Sequence, residues 1–255
     1  MAIFIILLIF ICLSVGLALF FIHNDKGEKE PIGALWLAVG LGFLGAVAAL
    51  FLELFLLPKR DLMPGASLSS LFLGSMGVGI IEEACKFWPL AAFLYKKDYF
   101  NEHTDGVLYF ALAGIGFGLP ENIIYTITLG SKAGLDRVIL TPFFHAATTG
   151  MVGYFLAKHK FAKKPLSTFI LPVVVAMALH GLYDFGLLST VNIYAVMSLF
   201  ITFGMSAALF VFFLRAVESD QKLGLSAVGH NNFCRTCGWP NPQHNLYCTH
   251  CGKNA

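Results

Sequence analysis

Charge is what this sequence has least of. Only 13% of its 255 residues are Asp, Glu, Lys or Arg, about half the share of a soluble globular domain. The net charge is +2, and no basic run with interleaved aromatics occurs, so nucleic acid is excluded as a partner. There is no P-loop, no G-x-S-x-G and no H-E-x-x-H, which removes the phosphate-cradling, serine-nucleophile and paired-histidine zinc readings. A basic leader and an A-x-A-like cleavage site are also missing at the N-terminus, so residues 2–22 read as an uncleaved spanning helix.

What is abundant is apolar. Hydrophobic residues make up 57% of the chain, with 25 phenylalanines, and the charges gather in short islands between long apolar runs. Seven runs, at about 2–22, 33–57, 68–95, 106–129, 137–157, 166–189 and 192–214, are each near or above the ~20 residues a bilayer crossing requires. The expected fold is all-α: a polytopic membrane helical bundle of about seven transmembrane helices plus a small C-terminal zinc ribbon. The boundaries are a helical domain over 1–217, a linker over 218–229 and the ribbon over 230–255. With the N-terminus outside, Lys26, Lys29, Lys96, Lys97, the four lysines of 158–164, Arg215 and Lys222 lie inside, and Lys59, Arg60, Lys132 and Arg137 outside. That bias predicts a multi-pass protein of the plasma membrane with a cytoplasmic C-terminus.

Ionisable side chains within spanning segments are costly and usually functional or paired. The third segment carries Glu82, Glu83 and Lys86, the fourth Glu121 and Asn122 after Pro120, the fifth His145, and the sixth His180 and Asp184. Glu82 and Lys86, four apart, share a helix face and are expected to pair. Glu83, about 100° away, is expected to be free for chemistry. A rise of about 1.5 Å per residue puts the histidines, Asp184 and Glu121 in the outer half of the membrane and the acidic pair near its middle, around one cavity opening outward. Glu53, near the end of its segment, reads as interfacial. A carboxylate beside a histidine can activate water as a general base. Two histidines and a carboxylate can instead hold a catalytic metal with an open position. Asn122 or a histidine can support an oxyanion.

These blocks, Glu82-Glu83-x-x-Lys86, then G-x-G-F-G-x-x-Glu121-Asn122, then His145, then His180-Gly-Leu-Tyr-Asp184, resemble the PrsW family of intramembrane proteases. That family is related to the CAAX-prenyl endopeptidases and the bacteriocin-immunity membrane proteases. The resemblance covers roughly residues 32–215. It implies an intramembrane endopeptidase acting on membrane-associated proteins or peptides, with Glu82, Glu83, Lys86, Glu121, Asn122, His145, His180 and Asp184 as catalytic candidates. It leaves open whether Glu83, His145 and His180 hold a divalent metal. CAAX endopeptidases place phenylalanine four residues before the middle histidine. Here that position is Thr141, which argues against a prenylated substrate.

Outside that core, Cys234-x-x-Cys237 and Cys248-x-x-Cys251, each followed by glycine, have the spacing of a four-thiolate structural Zn2+ site. With no open coordination position, such a ribbon suits docking of a cytosolic partner. Two other readings of the buried polar groups remain at this point: a non-catalytic membrane sensor or scaffold acting through the ribbon, and a proton- or ion-coupled transporter.

Overall fold

The computed structural model describes residues 2–58, 62, 66–223, 247, 248 and 250–252. Among them the elements are all helices: α1 (Ala2–Asn24), α2 (Ile32–Leu56), α3 (Leu68–Phe93), α4 (His103–Leu129), α5 (Ser131–Val138), α6 (Leu140–Phe161), α7 (Ser167–Leu188) and α8 (Asn192–Leu223). Six of the seven long helices are long and apolar enough to cross a bilayer. The seventh, α6, is more polar, and nearly every residue from Leu140 to Ala157 is buried. Neighbouring helices shield it from lipid, so it does not need an apolar surface.

The seven expected segments correspond to the seven long helices, with one difference. The fifth segment was expected to begin at residue 137, whereas residues 131–138 form the separate short helix α5. Gly130, at φ +90°, makes the break, a backbone conformation open to glycine and strained for other residues. Helix α8 runs on to Leu223, so the first residues of the expected linker are helical. The remaining linker and most of the ribbon lie outside the described residues.

Large apolar side chains face outward, including Phe55 at 84% and Trp88 at 74% exposure, as a lipid-facing surface requires. Inside, α4 is the central helix, packing against α2 and α6, while α3 packs against α7. Close contact between backbones sets these crossings. A Cβ on Gly114 would lie 2.1 Å from the His145 carbonyl oxygen, and one on Gly79 would lie 2.5 Å from that of Met177. Small residues therefore bring α4 against α6 and α3 against α7, the helices that carry the polar blocks.

At one end of the bundle the Asp220 carboxylate on α8 accepts from the backbone N–H groups of His103 and Thr104, both at 2.8 Å, capping the start of α4. Asn101 donates to Glu28 at 2.7 Å, and Lys160 donates to the carbonyls of Tyr95 and Phe100, both at 2.7 Å. The α1–α2 and α3–α4 loops, the end of α6 and the end of α8 thus share this end.

Candidate active site

The polar blocks meet in one buried cluster away from that end, with Glu82, Glu83 and Lys86 from α3, Glu121 from α4, His145 from α6, and His180 and Asp184 from α7. The Lys86 ammonium lies at its centre. It donates to Glu83 Oε1 at 2.8 Å and Glu82 Oε2 at 3.3 Å, and lies 2.9 Å from His145 Nδ1 and 3.4 Å from His180 Nδ1. Its charge also faces the Phe117 ring at 4.1 Å. Phe144 stacks on Tyr183 with centroids 3.9 Å apart and meets the His180 ring edge to face. These aromatic contacts hold the His180 imidazole in place.

Two expectations about the acidic pair are corrected. Glu83 is not the free carboxylate: it lies closer to Lys86 than Glu82 does, and its Oε1 is 2.7 Å from His180 Nδ1. Positions three apart on a helix are neighbours just as positions four apart are, and the ammonium reaches both. The metal-competent set is accordingly not Glu83, His145 and His180. Glu82, His145 and His180 each offer a ligand atom, and all three atoms lie within 4.8 Å of one another.

The chemistry of this set suits a divalent cation. Two histidines and one glutamate form a donor set found in catalytic zinc sites with an open position. His180 Nε2 lies 3.3 Å from Glu82 Oε2 and 3.5 Å from Asp184 Oδ2, yet has no aligned hydrogen bond. The same is true of His145 Nε2, 2.5 Å from Glu121 Oε2. Glu83 on His180 Nδ1 is the outer carboxylate that commonly orients a metal-binding imidazole. Four carboxylates, Glu82, Glu83, Glu121 and Asp184, surround the Lys86 ammonium and a second fixed cation.

The second fixed cation is Arg137, which the sequence reading used only as one of the charges on the outer side. It is buried on α5, bonded to Glu121 Oε1 and 3.4 Å from Asp184 Oδ1, with its guanidinium carbon 3.9 Å from the Tyr125 ring centroid. Thr141 bonds the Arg137 carbonyl at 2.8 Å, holding α5 against the start of α6. The signal that could have found Arg137 was the excess of buried acids over Lys86, together with an amphipathic segment between two apolar ones. Asn122 is fully buried, but neither of its amide atoms has a hydrogen-bond partner among the described residues, so no cluster side chain fixes its amide.

A cavity of about 200 Å³ between α2 and α4 reaches the cluster. Glu53, Glu82 and Glu121 line it together with Leu50, Phe117 and Tyr125. Glu53 is therefore not simply interfacial; its Oε1 is buried, because α2 leans against α4 along its length.

Of the ribbon cysteines, Cys234 and Cys237 lie outside the described residues. Cys248 is buried, its Sγ accepts from the His250 N–H at 3.4 Å, and Gly252 donates to the Cys248 carbonyl at 2.9 Å with φ +70°.

Residues 30–217 match the family model of the PrsW family intramembrane metalloproteases. The chain is 30% identical to Protease PrsW of Bacillus subtilis (strain 168) over 181 residues, covering 70% of this chain and 81% of that protein. It is 28% identical to Protease PrsW of Geobacillus kaustophilus, over 69% of this chain and 76% of that one. The Clostridioides difficile Protease PrsW is 27% identical over 66% and 74% of the respective chains. No solved structure matches. With the matched region spanning every helix that carries the polar cluster, the chain is an integral membrane protease and belongs to the PrsW family of intramembrane metalloproteases.

Proposed function

We propose that this protease hydrolyses peptide bonds of membrane-associated proteins at the α3–α7 cluster, with Glu82, His145 and His180 as the ligands of a divalent metal. The observation that carries the reading is the convergence of those three ligand atoms within 4.8 Å, from three separate helices. A metal held by these three residues would supply Lewis-acid chemistry, activating water and polarising the peptide carbonyl. Glu121, which faces His145 and lines the cavity, takes the proton from the attacking water and returns it to the departing amine. Arg137 fixes the other oxygen of Glu121, so the carboxylate presents one oxygen to the reaction. Glu83 holds the His180 ring by Nδ1. Lys86 balances the acidic pair, and Asp184 lies beside His180 on the side that Arg137 fixes. Asn122, with its amide unpaired, serves as the oxyanion donor.

The test is metal content and activity measured together. Wild type in lipid nanodiscs should hold one metal in the helical domain and cleave a membrane-anchored reporter. His180→Ala and Glu82→Gln should lose both. A helical domain that stays active with no bound metal would replace the metal reading with a metal-free glutamate–histidine mechanism.

The C-terminal tail is a separate site in this reading. The sulfur-facing amide of His250 and the left-handed Gly252 support a thiolate knuckle, with Cys234, Cys237, Cys248 and Cys251 holding a structural Zn2+ and presenting a surface to a cytosolic partner. The lysine bias supports a plasma-membrane protein with its N-terminus outside and this tail in the cytosol, where reducing conditions favour zinc thiolates over disulfides. Metal stoichiometry with and without the tail tests it: deletion should remove one zinc and leave the helical-domain metal in place.

A further inference from the structure

We propose that Glu53 is a specificity-determining residue, which binds the cationic side chain of a lysine or arginine in the substrate segment beside the scissile bond. The inference rests on the proteolytic reading of the cluster above. The cavity between α2 and α4 is where a substrate can reach Glu82 and Glu121, because both line it. Three carboxylates face this cavity, and no lysine or arginine among the described residues does. Two of the three have cations of their own: Lys86 for Glu82 and Arg137 for Glu121. Among the described residues Glu53 has no ion pair, and its buried Oε1 has no hydrogen bond. Apart from Thr128, the rest of the lining is apolar or aromatic, including Val47, Leu50, Ile124 and Tyr125.

An unpaired carboxylate facing an apolar cavity within a spanning helix is costly to hold. Nothing among the described residues uses it. It is not needed to orient the cluster, whose members find partners on α3, α5, α6 and α7. A substrate ammonium or guanidinium placed there would restore the balance with a charge-assisted hydrogen bond. The methylene stem of the same side chain would lie against Leu50 and Ile124, as long cationic side chains bury their stems on apolar surface.

The full chain in lipid nanodiscs should be given a fluorescent leucine–alanine host peptide, with a single lysine, norleucine or glutamate moved along it in turn. Binding and cleavage are read separately. Wild type should bind and cleave the best-placed lysine peptide about tenfold or more better than its norleucine counterpart, the range expected for one hydrogen bond to a charged group. In Glu53→Gln that ratio should fall to near one, with cleavage of the norleucine peptide retained. Glu53→Lys should transfer the preference to the glutamate peptide. A lysine-to-norleucine ratio that is the same in wild type and Glu53→Gln, in both binding and cleavage, overturns the assignment. Absence of cleavage of every peptide by wild type would instead count against the site's proteolytic reading, while the binding ratio still decides the role of Glu53.

Discussion

This membrane protein buries acids in two places, and it satisfies them differently. At the loop end, Asp25, Glu28, Glu30, Glu102, Asp105 and Asp220 crowd together, and their partners are largely the backbone. Asp220 takes two main-chain N–H groups as well as His103 Nδ1 and the Thr104 hydroxyl. Asp105 takes those of Asn101 and Glu102 at 2.6 and 2.7 Å, and Asp25 takes that of Gly27 at 2.9 Å. These acids cap helices and pin loops. In the α3–α7 cluster the carboxylates meet lysine, arginine and histidine side chains, drawn from their own helix and from others, and both imidazole Nε2 atoms are left unaligned. Burial of acids alone therefore says little about catalysis. Whether backbone amides or convergent side chains answer them separates a structural clamp from a reactive site.

The contrast breaks most visibly under substitution of the cluster. Glu82→Gln or His180→Ala should lower turnover by about 10²–10⁴-fold, as loss of a proton-handling or ligating group does, while melting in detergent shows that the helices still assemble. The same rate loss from Asp220→Asn would erase the distinction drawn above. Arg137 comes next. Arg137→Ala should cost about 10–100-fold in activity or metal affinity, the usual effect of removing a group that orients a site carboxylate. Arg137→Lys should recover only part, because an ammonium cannot match the planar guanidinium fork between Glu121 and Asp184. Full activity in the lysine variant would reduce Arg137 to a neutralising charge.

How much of this was legible in the sequence follows the same divide. The cluster residues stood out because each is an ionisable group in an apolar run, and the helices that carry them match the expected spans. What the helical period did not decide was which of Glu82 and Glu83 pairs with Lys86. Positions three and four before Lys86 both neighbour it, and only the packing of α7 on α3 assigns Glu83 to His180. Arg137 was counted only as a charge at the start of the fifth segment, because nothing in the sequence shows that α4 and α6 fold the short amphipathic helix after the glycine break inward. The loop-end acids carried no signal: residues 25–30 and 98–105 sit in polar stretches where solvation is the natural reading. His103 acquires its partner, Asp220, only from the far end of the chain.

Smaller effects belong to the loop end. Asp220→Asn should weaken the cap on α4 and cost about 0.5–2 kcal/mol of stability, read as a lowered melting temperature with turnover per folded molecule unchanged. A selective loss of turnover would show instead that the position of α8 is felt at the site.

The finest distinction is in pH dependence. Burial, reinforced by Asp105, Asp220 and Asp25, pushes Glu102 from the ordinary 4.5 up to about 10. Burial likewise raises Glu30 to about 8 and Asp25 to about 6. Between the unfolded and folded values of each group the folded chain holds a proton that the unfolded chain has released, so stability must fall as pH rises. The contribution is complete below about pH 4; above it all three groups lose stability together, with a limiting slope of roughly 1.4 kcal/mol per pH unit for each, and the loss ends first for Asp25, then for Glu30, then for Glu102. Glu102→Gln mimics the protonated acid, and the Glu102 Oε2 atom it replaces has no hydrogen-bond partner to lose. Melting temperatures from pH 5 to pH 9 should therefore decline less steeply in Glu102→Gln than in wild type, and the two should converge at the acid end. Parallel declines would mean that Glu102 is ionised in the folded protein and that a cation from solution is answering it, which would make the loop end more like the reactive cluster than its hydrogen bonds suggest.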